Sequence, residues 1–418
     1  MSSERCDRAE TCVIAELIDA CKLEIGDGYR AKNSELGAEG LPFARAGNIN
    51  SGFDFSTADR VPPVTLAKVG RKRSMPGDVV FTSKGTVGRF AWVRRDTEPF
   101  VYSPQLCFWR SLDPDSVDPR FLYYWMQGPE CLRQINALKG QTDMADYVSL
   151  RDQRTMKITL PPLAVQQKIA RVLGSLDDKI ESNHAACRLL HEVAEQAYRR
   201  ALSTAQVARL GDLGTIRGGG TPKSSVTSYW EPADVAWITV KDMTALAGSP
   251  VIWRGERNIS QLGLQKSSAK LLPAGTVLYT SRATLGMIAI AQQELSTNQD
   301  FITIEPAPGL SSELVYFTLR ANRDAIAAKA NGSTFLAVNK TNFKAVECRI
   351  PDEGARAAFQ AVAGPAFRLI AGLTQEAQRL RAVRDVLLPK LVSGQIRVPA
   401  GVEPRGEAQA ADLVESTA

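Results

Sequence analysis

The sequence predicts an α+β protein made of two related halves, in each of which a strand-rich globular domain is followed by one long helix. Three observations support this prediction: an internal repeat, short apolar runs separated by turn residues, and two stretches with heptad spacing. The 418 residues are enough for two to four domains. A hydrophobic content of 44% and a charged content of 23% are typical of a globular protein with a packed core.

The repeat is visible in the order of its motifs. Residues 77–88 (GDVVFTSKGTVG) correspond to residues 275–286 (GTVLYTSRATLG), and Gln105 in SPQLCFW corresponds to Gln299 in TNQDFIT. Three further pairs keep the same order: residues 43–50 with 237–244, residues 140–142 with 332–334, and Pro161 with Pro351. Matches that recur in one order along the chain indicate an internal duplication.

The globular domains are predicted at residues 1–160 and 205–351. Their short runs of Val, Ile, Phe, Trp and Thr are separated by Gly, Pro, Asn and Asp, which is the pattern of strands joined by turns. One shorter helical stretch is predicted in each domain, at residues 119–137 and 312–330. Each domain is therefore expected to mix strands with a few short helices.

Two long helices are predicted at residues 161–204 and 352–398, with a disordered tail at residues 399–418. The first follows a Pro-Pro pair that stops the preceding strand, and Pro365 is expected to kink the first turns of the second. Apolar residues alternate at spacings of three and four, as in a coiled-coil seam. The seam residues are Ile169, Leu173, Leu176, Ile180, Asn183, Cys187, Leu190, Ala194, Ala197 and Ala201 on the first helix and Phe359, Val362, Ala366, Leu369, Leu373, Glu376, Leu380, Val383 and Leu387 on the second.

A seam of this kind needs a partner, and the other long helix is the nearest one. We expect the two helices to pair antiparallel, which would place the globular domains at opposite ends and relate the halves by a pseudo-twofold axis. The alternative is that each helix packs separately on its own domain. Residues 164–201 would form a spacer of roughly 57 Å, and one turn of B-DNA spans roughly 34–36 Å. Such a spacer suits two modules that contact one duplex at two places.

Composition narrows the possible compartments and partners. The net charge of +6 permits an anionic partner without requiring one. The seven cysteines form no C-x-x-C pair, which argues against a disulfide framework and a zinc site and favours a reducing cytoplasm. No apolar run reaches the roughly 18 residues of a membrane span, and the N-terminus has no signal-peptide core. We therefore expect a cytoplasmic protein with no membrane partner.

Polar residues in the predicted loops are candidates for DNA contact. Arg and Lys suit guanine edges and phosphates, whereas Gln and Asn suit adenine edges. The alternative for each residue is a solvated surface side chain or a contact to phosphate alone. The candidates are Arg45, Asn48, Lys84, Thr86, Gln105, Gln141 and Thr142 in the first domain, and Arg217, Lys223, Lys241, Arg282, Thr284, Gln299, Ser333, Thr334 and Lys340 in the second.

Three segments resemble the conserved parts of type I restriction–modification specificity (S) subunits. They are residues 160–181 (LPPLAVQQKIARVLGSLDDKIE), residues 218–222 (GGGTP) with the Tyr229-Trp230 and Trp237-Ile238 pairs after them, and residues 387–396 (LLPKLVSGQI). The resemblance spans roughly residues 12–398. Two departures stand out: residues 25–30 (IGDGYR) replace GGGTP in the first domain, and residues 352–356 (DEGAR) replace an LPPL-type start before the second helix.

The resemblance implies two target recognition domains joined by two long antiparallel helices. It also implies a split target on double-stranded DNA, of which each domain reads one half. The implied partners are two modification subunits, which are adenine-N6 methyltransferases, and ATP-dependent restriction subunits that translocate and cut DNA. S-adenosylmethionine, ATP and Mg²⁺ are expected on those partners, and no cofactor is expected on this chain.

No catalytic motif is recognisable in the sequence. It contains no N/D-P-P-Y/F loop of an adenine methyltransferase and no Walker A motif. His184 and His191 lack the neighbours of a triad or a metal site, and we interpret both as helix-surface residues. We therefore expect a non-catalytic DNA-reading subunit for phage defence. The alternatives are an interaction adaptor of the same fold in another phage-defence methyltransferase assembly, and an autonomous nuclease. The recognised bases do not follow from the sequence.

Overall fold

The structure is a computed structural model. It describes residues 9–50, 52–139, 146–246, 248–330 and 336–398. The chain divides into two compact units. Unit 1 comprises Met1–Lys179 and Leu380–Ala418, and unit 2 comprises Ile180–Arg379. Unit 2 is one continuous piece of chain, whereas unit 1 is completed by the C-terminal segment.

Unit 1 contains one main sheet, one smaller sheet and a two-stranded ribbon. The strands are β1 (Glu10–Val13), β2 (Leu23–Asp27), β3 (Leu41–Ala44), β4 (Arg60–Val61), β5 (Val79–Thr82), β6 (Phe90–Trp92), β7 (Val101–Tyr102), β8 (Leu106–Ser111) and β9 (Lys157–Leu160). The main sheet is antiparallel in the order β2-β8-β5-β6, and the smaller one has the order β4-β3-β7. Strand β1 pairs antiparallel with β9, so the chain enters and leaves the globular part of this unit side by side.

Short helices pack against the sheets of unit 1. They are α1 (Ile14–Asp19), α2 (Pro63–Val69), α3 (Pro119–Met126), α4 (Pro129–Leu138) and α5 (Leu150–Thr155). The side chain of Asp118 accepts the Phe121 N–H and caps α3, whose Trp125 is fully buried. The single stretch predicted at residues 119–137 is two helices, because Pro129 has no N–H to continue the hydrogen-bond ladder and begins α4 instead.

Helix α6 (Leu163–Ala201) is 39 residues long and carries the chain from unit 1 into unit 2. The strands of unit 2 follow: β10 (Gln206–Arg209), β11 (Gly214–Gly218), β12 (Val235–Ile238), β13 (Val251–Ile252), β14 (Arg257–Ile259), β15 (Val277–Thr280), β16 (Ile288–Ala291), β17 (Ser296–Thr297), β18 (Phe301–Pro306) and β19 (Glu347–Ile350). The main sheet has the order β11-β18-β15-β16-β13, the smaller one β14-β12-β17, and β10 pairs antiparallel with β19.

The helices of unit 2 end with a second long one. They are α7 (Val240–Ala245), α8 (Gln261–Gln265), α9 (Ser312–Ala321), α10 (Arg323–Ala327), α11 (Lys340–Lys344) and the 40-residue α12 (Glu353–Val392). Asp352 precedes α12, and its Oδ1 accepts the Ala355 N–H at 2.8 Å, which is the contact of an N-cap residue. Helix α12 therefore begins at an N-cap aspartate in the DEGAR segment, whereas α6 begins after a Pro-Pro pair.

The two units repeat the same strand pairing, which confirms the predicted duplication. Val79 is opposite Trp109 in unit 1, as Val277 is opposite Ile304 in unit 2. The smaller sheets and the two-stranded ribbons also correspond strand for strand. The predicted α+β class with two related halves and long helices is therefore confirmed.

The long helices pair antiparallel within unit 2. The buried Asn183 donates from Nδ2 to Glu376 at 2.8 Å, and Cys187 Sγ lies 3.8 Å from the Ile370 carbonyl. Residue numbers rise along α6 as they fall along α12, which defines the direction. A polar contact among apolar neighbours favours one register of such a pair over its alternatives.

The same two helices also meet within unit 1. Arg384 Nη1 of α12 lies 2.7 Å from Asp177 Oδ1 of α6, and Tyr124 of α3 donates its hydroxyl to Asp177 at 2.7 Å. Arg120 also reaches α6, where it pairs with Asp178 at 2.8 Å. The alternative in which each long helix packs only on its own domain is therefore wrong.

The predicted seam residues of α6 have the burial that a seam needs, whereas two of those predicted on α12 do not. Ile169, Leu173 and Ile180 are buried, and Leu176 and Leu190 are half-buried, as are Leu373, Leu380 and Leu387. Leu369 and Val383, however, are 57% and 48% exposed. The buried face of α12 contains Phe359, Ala363, Ala366, Ile370, Ala377, Leu388 and Leu391. Because alanines occupy much of this face, a search for large apolar residues places the seam on the wrong side.

The core of unit 1 depends on the end of the chain. Leu388 and Leu391 of α12 are buried together with Trp109, Trp125 and Ile169 in one cluster. Among the described residues α12 is also the helix whose length and composition would allow a membrane span. One such helix is weak evidence for a span, since a helix that contributes to a protein core passes the same test.

Unit 1 contains a buried ionic network under its main sheet. Asp78 is fully buried, and Arg110 donates to it from Nε at 2.7 Å and from Nη2 at 2.8 Å. The Tyr102 hydroxyl donates to the same carboxylate at 2.6 Å. Burial and the neighbouring Asp78 charge raise the pKa of Tyr102 well above its usual value. These charge-assisted hydrogen bonds therefore join β7 and β8 to the residue that directly precedes β5.

Candidate nucleic-acid interface

The loop between β5 and β6 presents an exposed tip in unit 1. Thr82 donates its hydroxyl to the Thr86 carbonyl, and the Thr82 carbonyl accepts the Gly88 N–H at 3.1 Å. Gly85 has a φ of 83°, in the left-handed region that glycine adopts without strain. These bonds close the loop and leave the side chains of Lys84 and Thr86 exposed at its end.

The loop between β15 and β16 has the same form in unit 2. Thr280 donates its hydroxyl to the Thr284 carbonyl at 2.5 Å, and its own carbonyl accepts the Gly286 N–H at 3.0 Å. Arg282 and Thr284 are exposed at the tip. Ala283 has a φ of 59°, a conformation that is uncommon for a residue with a Cβ and that concentrates at functional sites.

A glutamine lies beside each loop. The Gln105 carbonyl accepts the Ser83 N–H at 3.0 Å, and Gln105 Oε1 accepts the Ala46 N–H at 3.1 Å. In unit 2 the Asp300 carbonyl accepts the Ser281 N–H at 2.7 Å, so Asp300 occupies the position of Gln105, and the predicted correspondence of Gln105 with Gln299 is off by one residue. Gln299 Oε1 accepts the hydroxyl hydrogen of Thr221. One acceptor position of each amide oxygen is therefore occupied, and both glutamines keep their N–H donors for a ligand.

The two other described candidates of unit 1 are tied to their own loop. Asn48 Oδ1 accepts the Arg45 N–H at 2.8 Å, and Asn48 Nδ2 donates to the Asp54 carbonyl at 2.8 Å. Arg45 pairs with Asp59 at 2.7 Å. Asn48 therefore shapes the turn, while Arg45 has a carboxylate partner that DNA would have to displace.

The remaining described candidates of unit 2 are spread around its smaller sheet and the GGGTP segment. Arg217 pairs with Glu305 at 3.1 Å, and Lys241 pairs with Glu256 at 2.5 Å, a hydrogen bond and charge that raise the pKa of Lys241. Lys223 and Lys340 are exposed. These cations lie on the same unit as Arg282, and two of them already have acidic partners.

Lys84 and Arg282 differ from these residues in their charge environment. Among the described residues neither of them forms an ion pair. Lys139 is a further cation at the unit 1 loop, since its Nζ lies 3.9 Å from where a Cβ on Gly88 would be. Sequence reasoning missed Lys139 because it follows α4, far along the chain from the loop. Gln141, Thr142, Ser333 and Thr334 lie outside the described residues.

The glycine motifs of the two units make the same close backbone approach. The Tyr29 N–H donates to the Tyr102 carbonyl at 2.7 Å, and the Gly220 N–H donates to the Thr297 carbonyl at 2.8 Å. A Cβ on Gly28 would lie 1.9 Å from the Ser103 carbonyl oxygen. IGDGYR and GGGTP are thus two sequences that meet one steric requirement.

We expect Gly28→Ala to destabilise unit 1 by at least about 2 kcal/mol, because its Cβ would overlap backbone that cannot move freely. Gly37→Ala is the matched control, since no atom lies within 4 Å of its Cβ position. Thermal unfolding of the two variants and the wild type measures the difference. Equal melting temperatures for both variants would show that the close approach has no energetic role.

His191 is one of the two histidines predicted on the helix surface, and its surroundings differ from that prediction. His191 is half-buried, and its Nε2 lies 3.1 Å from the Tyr316 hydroxyl beside Phe317 and Phe367. Burial, with help from the charge of Arg320, lowers the pKa of His191 to about 4. It is therefore a packed residue of unit 2 and not a helix-surface residue. Among the described residues no three His, Cys, Asp or Glu side chains cluster as metal ligands.

Comparison with known proteins accounts for this repeated architecture. The family model described as the type I restriction modification DNA specificity domain matches residues 11–187 and again residues 203–357. The chain belongs to this family. The two matches begin near the first strand of each ribbon, β1 and β10, so the family domain corresponds to the repeat.

Individual members of the family differ in how much of the chain they match. The MjaIX specificity subunit of Methanocaldococcus jannaschii is 38% identical over 149 residues, which is 35% of this chain and only 34% of that subunit. The HindI specificity subunit of Haemophilus influenzae is 22% identical over 410 residues, covering 78% of this chain and 88% of the relative. The crystal structure of a type I S subunit from M. genitalium has a TM-score of 0.58 at 14% identity and covers 94% of this chain and 98% of that one. That likeness concerns the fold.

Proposed function

We propose that this chain is the DNA-sequence-specificity subunit of a type I restriction–modification complex, and that it is not itself catalytic. The observation that carries the proposal is the exposed loop that both units present in the same form, each with a cation at its tip that forms no ion pair with the residues the structure describes. Two similar contact surfaces on one chain suit a bipartite target on double-stranded DNA, of which each unit reads one half.

The long helices are proposed to set the distance between the half-sites. Helix α6 is continuous over 39 residues and leads from one unit to the other, so it spans about 58 Å at 1.5 Å per residue. Its antiparallel contacts with α12 stiffen it within each unit. Under this proposal, the fixed length of the helices corresponds to a fixed number of base pairs between the two half-sites.

The helices are also proposed to dock the modification subunits. Leu189, Val193 and Val362 line one groove of unit 2, with exposures of 63%, 54% and 40%. Contiguous exposed apolar side chains are typical of protein interfaces. The methyltransferase and ATP-dependent chemistry, with S-adenosylmethionine, ATP and Mg²⁺, is assigned to the modification and restriction partners. Because the target is DNA and the partners are enzymes of DNA, we place the complex in the cytoplasm.

Methylation mapping tests the proposal. The chain is expressed with its modification subunit in a host without adenine methylation, and modified adenines are mapped across the chromosome. We expect one motif with two specific parts separated by a nonspecific spacer, and its loss when this chain is omitted. Methylation that persists without the chain, or that follows no motif, would contradict the proposal and favour an interaction adaptor.

A further inference from the structure

The loops at residues 83–88 and 281–286 share most of the hydrogen bonds that hold their backbone. The Thr82 hydroxyl oxygen accepts the Arg89 N–H at 3.0 Å, and the Thr280 hydroxyl oxygen accepts the Met287 N–H at 2.9 Å. The Ser83 carbonyl accepts the Val148 N–H at 3.0 Å, as the Ser281 carbonyl accepts the Val338 N–H at 3.1 Å. The backbone at the tip is therefore held in the same way in both units, and even the left-handed position is kept where unit 2 has Ala283.

Each loop tip offers the same chemistry to a ligand. It presents one cation, Lys84 or Arg282, and one exposed threonine hydroxyl. The residue beside the loop differs between the units, being Gln105 in unit 1 and Asp300 in unit 2. A cation with several hydrogen-bond donors suits an anion with several acceptor oxygens, which is the chemistry of a phosphodiester group.

The segments around the loops do not match in this way. Between β3 and β4 of its smaller sheet, unit 1 has the 3-10 turn Ala46–Ile49, whereas unit 2 has α7 and β13 between the corresponding strands β12 and β14. The cations there also differ, with Arg45 paired to Asp59 in one unit and Lys241 paired to Glu256 in the other. Features that differ between the units are suited to read what differs between two half-sites. Features that are shared are suited to contact what both half-sites have in common, the sugar–phosphate backbone.

We propose that these twin loops, defined as residues 83–88 and 281–286, bind DNA phosphates and do not select bases. Base selection then belongs to the segments in which the units differ. This inference rests on the proposed function, and it removes Lys84 and Arg282 from the candidates for base readout. It gives each unit one fixed contact that positions the duplex against a variable reading surface.

The test compares Lys84→Ala and Arg282→Ala with the wild-type chain, each purified with the modification subunit. Affinity is measured for a duplex that carries the mapped motif and for a scrambled duplex, over a tenfold range of salt. We expect each variant to weaken binding to both duplexes by the same factor. Each lost phosphate contact lowers the salt slope by about 0.9, so the difference from wild type should shrink about eightfold across that range. The methylated motif should stay unchanged.

Four controls make the result specific. Arg95→Ala removes an exposed cation at the opposite end of the β5–β6 hairpin, and Arg349→Ala removes an exposed cation on β19 in the ribbon before α12; both should leave affinity unchanged. Lys84→Arg and Arg282→Lys keep the charge and should keep the affinity. A variant that methylates an altered or degenerate half-site would overturn the proposal, because it identifies a base reader. Unchanged affinity in Lys84→Ala and Arg282→Ala would overturn it as well.

Failure of the proposed function gives a different result. If the wild-type chain with its modification subunit methylates no specific motif, the proposed recognition of a bipartite target is contradicted. The twin loops are then still judged by affinity for the scrambled duplex, where loss in the alanine variants supports phosphate binding and equal affinity refutes it.

Discussion

Removing one heptad from both long helices is expected to shorten the spacer between the half-sites by about three base pairs and to leave the half-sites unchanged. Seven residues of helix are about 10.5 Å long, and base pairs are about 3.4 Å apart along B-DNA. Seven residues are also within about 20° of two full turns, so the buried faces keep their phase. Methylation mapping of the variant reads the new spacer directly.

The deletion has to be matched on the two helices. Asn183 bonds to Glu376, so residues 180–186 of α6 lie opposite residues 373–379 of α12, and removing both stretches removes both partners. Deleting residues 180–186 alone is the control, which we expect to lose methylation because Glu376 loses Asn183 and the register of the pair is broken. A matched variant with altered half-sites and the original spacer would contradict the role proposed for the helices.

Arg110→Met is expected to destabilise unit 1 by about 3 kcal/mol or more, because it leaves the fully buried Asp78 without its cation. A loss of 3 kcal/mol corresponds to opening that is about two orders of magnitude more frequent. Hydrogen exchange of peptides from β5 and β8 measures the frequency of this opening in the strands next to the network. Strands β15 and β18 of unit 2 serve as an internal reference, since they are outside the affected unit.

Two further variants separate the buried charge from the loss of an arginine. Arg71 also pairs with a carboxylate, Glu24 at 3.2 Å, but its side chain is 78% exposed, so Arg71→Met should cost less than about 1 kcal/mol. Asp78→Asn combined with Arg110→Met removes the unpaired charge and should recover much of the loss. If the double variant were no more stable than Arg110→Met, the destabilisation would have to come from lost packing.

The duplication was predictable from the sequence because the motifs that repeat are local. The signals are turn residues, such as Gly88 and Gly286, and the short apolar runs beside them. They act over a few residues, so they can be recognised without knowledge of the fold. The long helices were predictable for the same reason, since Pro161 and Pro162 mark the start of α6 and heptad spacing marks its length.

Contacts between distant residues were not predictable in this way. Gln105 and Ala46 meet only because β3 and β7 are neighbours in the smaller sheet, and their contact changes what Gln105 can offer to DNA. Asp78 and Arg110 each look like ordinary surface charges in the sequence, yet strand pairing buries them together. The seam of α12 was misplaced because alanines such as Ala363 and Ala377 do not distinguish a buried face from an exposed one by residue type.

The division of the chain has a consequence for how the protein is made. Synthesis on the ribosome runs from the N-terminal to the C-terminal side, and domains made earlier ordinarily fold first. Here the globular part made first waits for Leu388 and Leu391, which complete its core, whereas unit 2 is finished once Arg379 has emerged. We therefore expect maturation in reverse order, with unit 1 kept incomplete until residues 388–391 have left the ribosome.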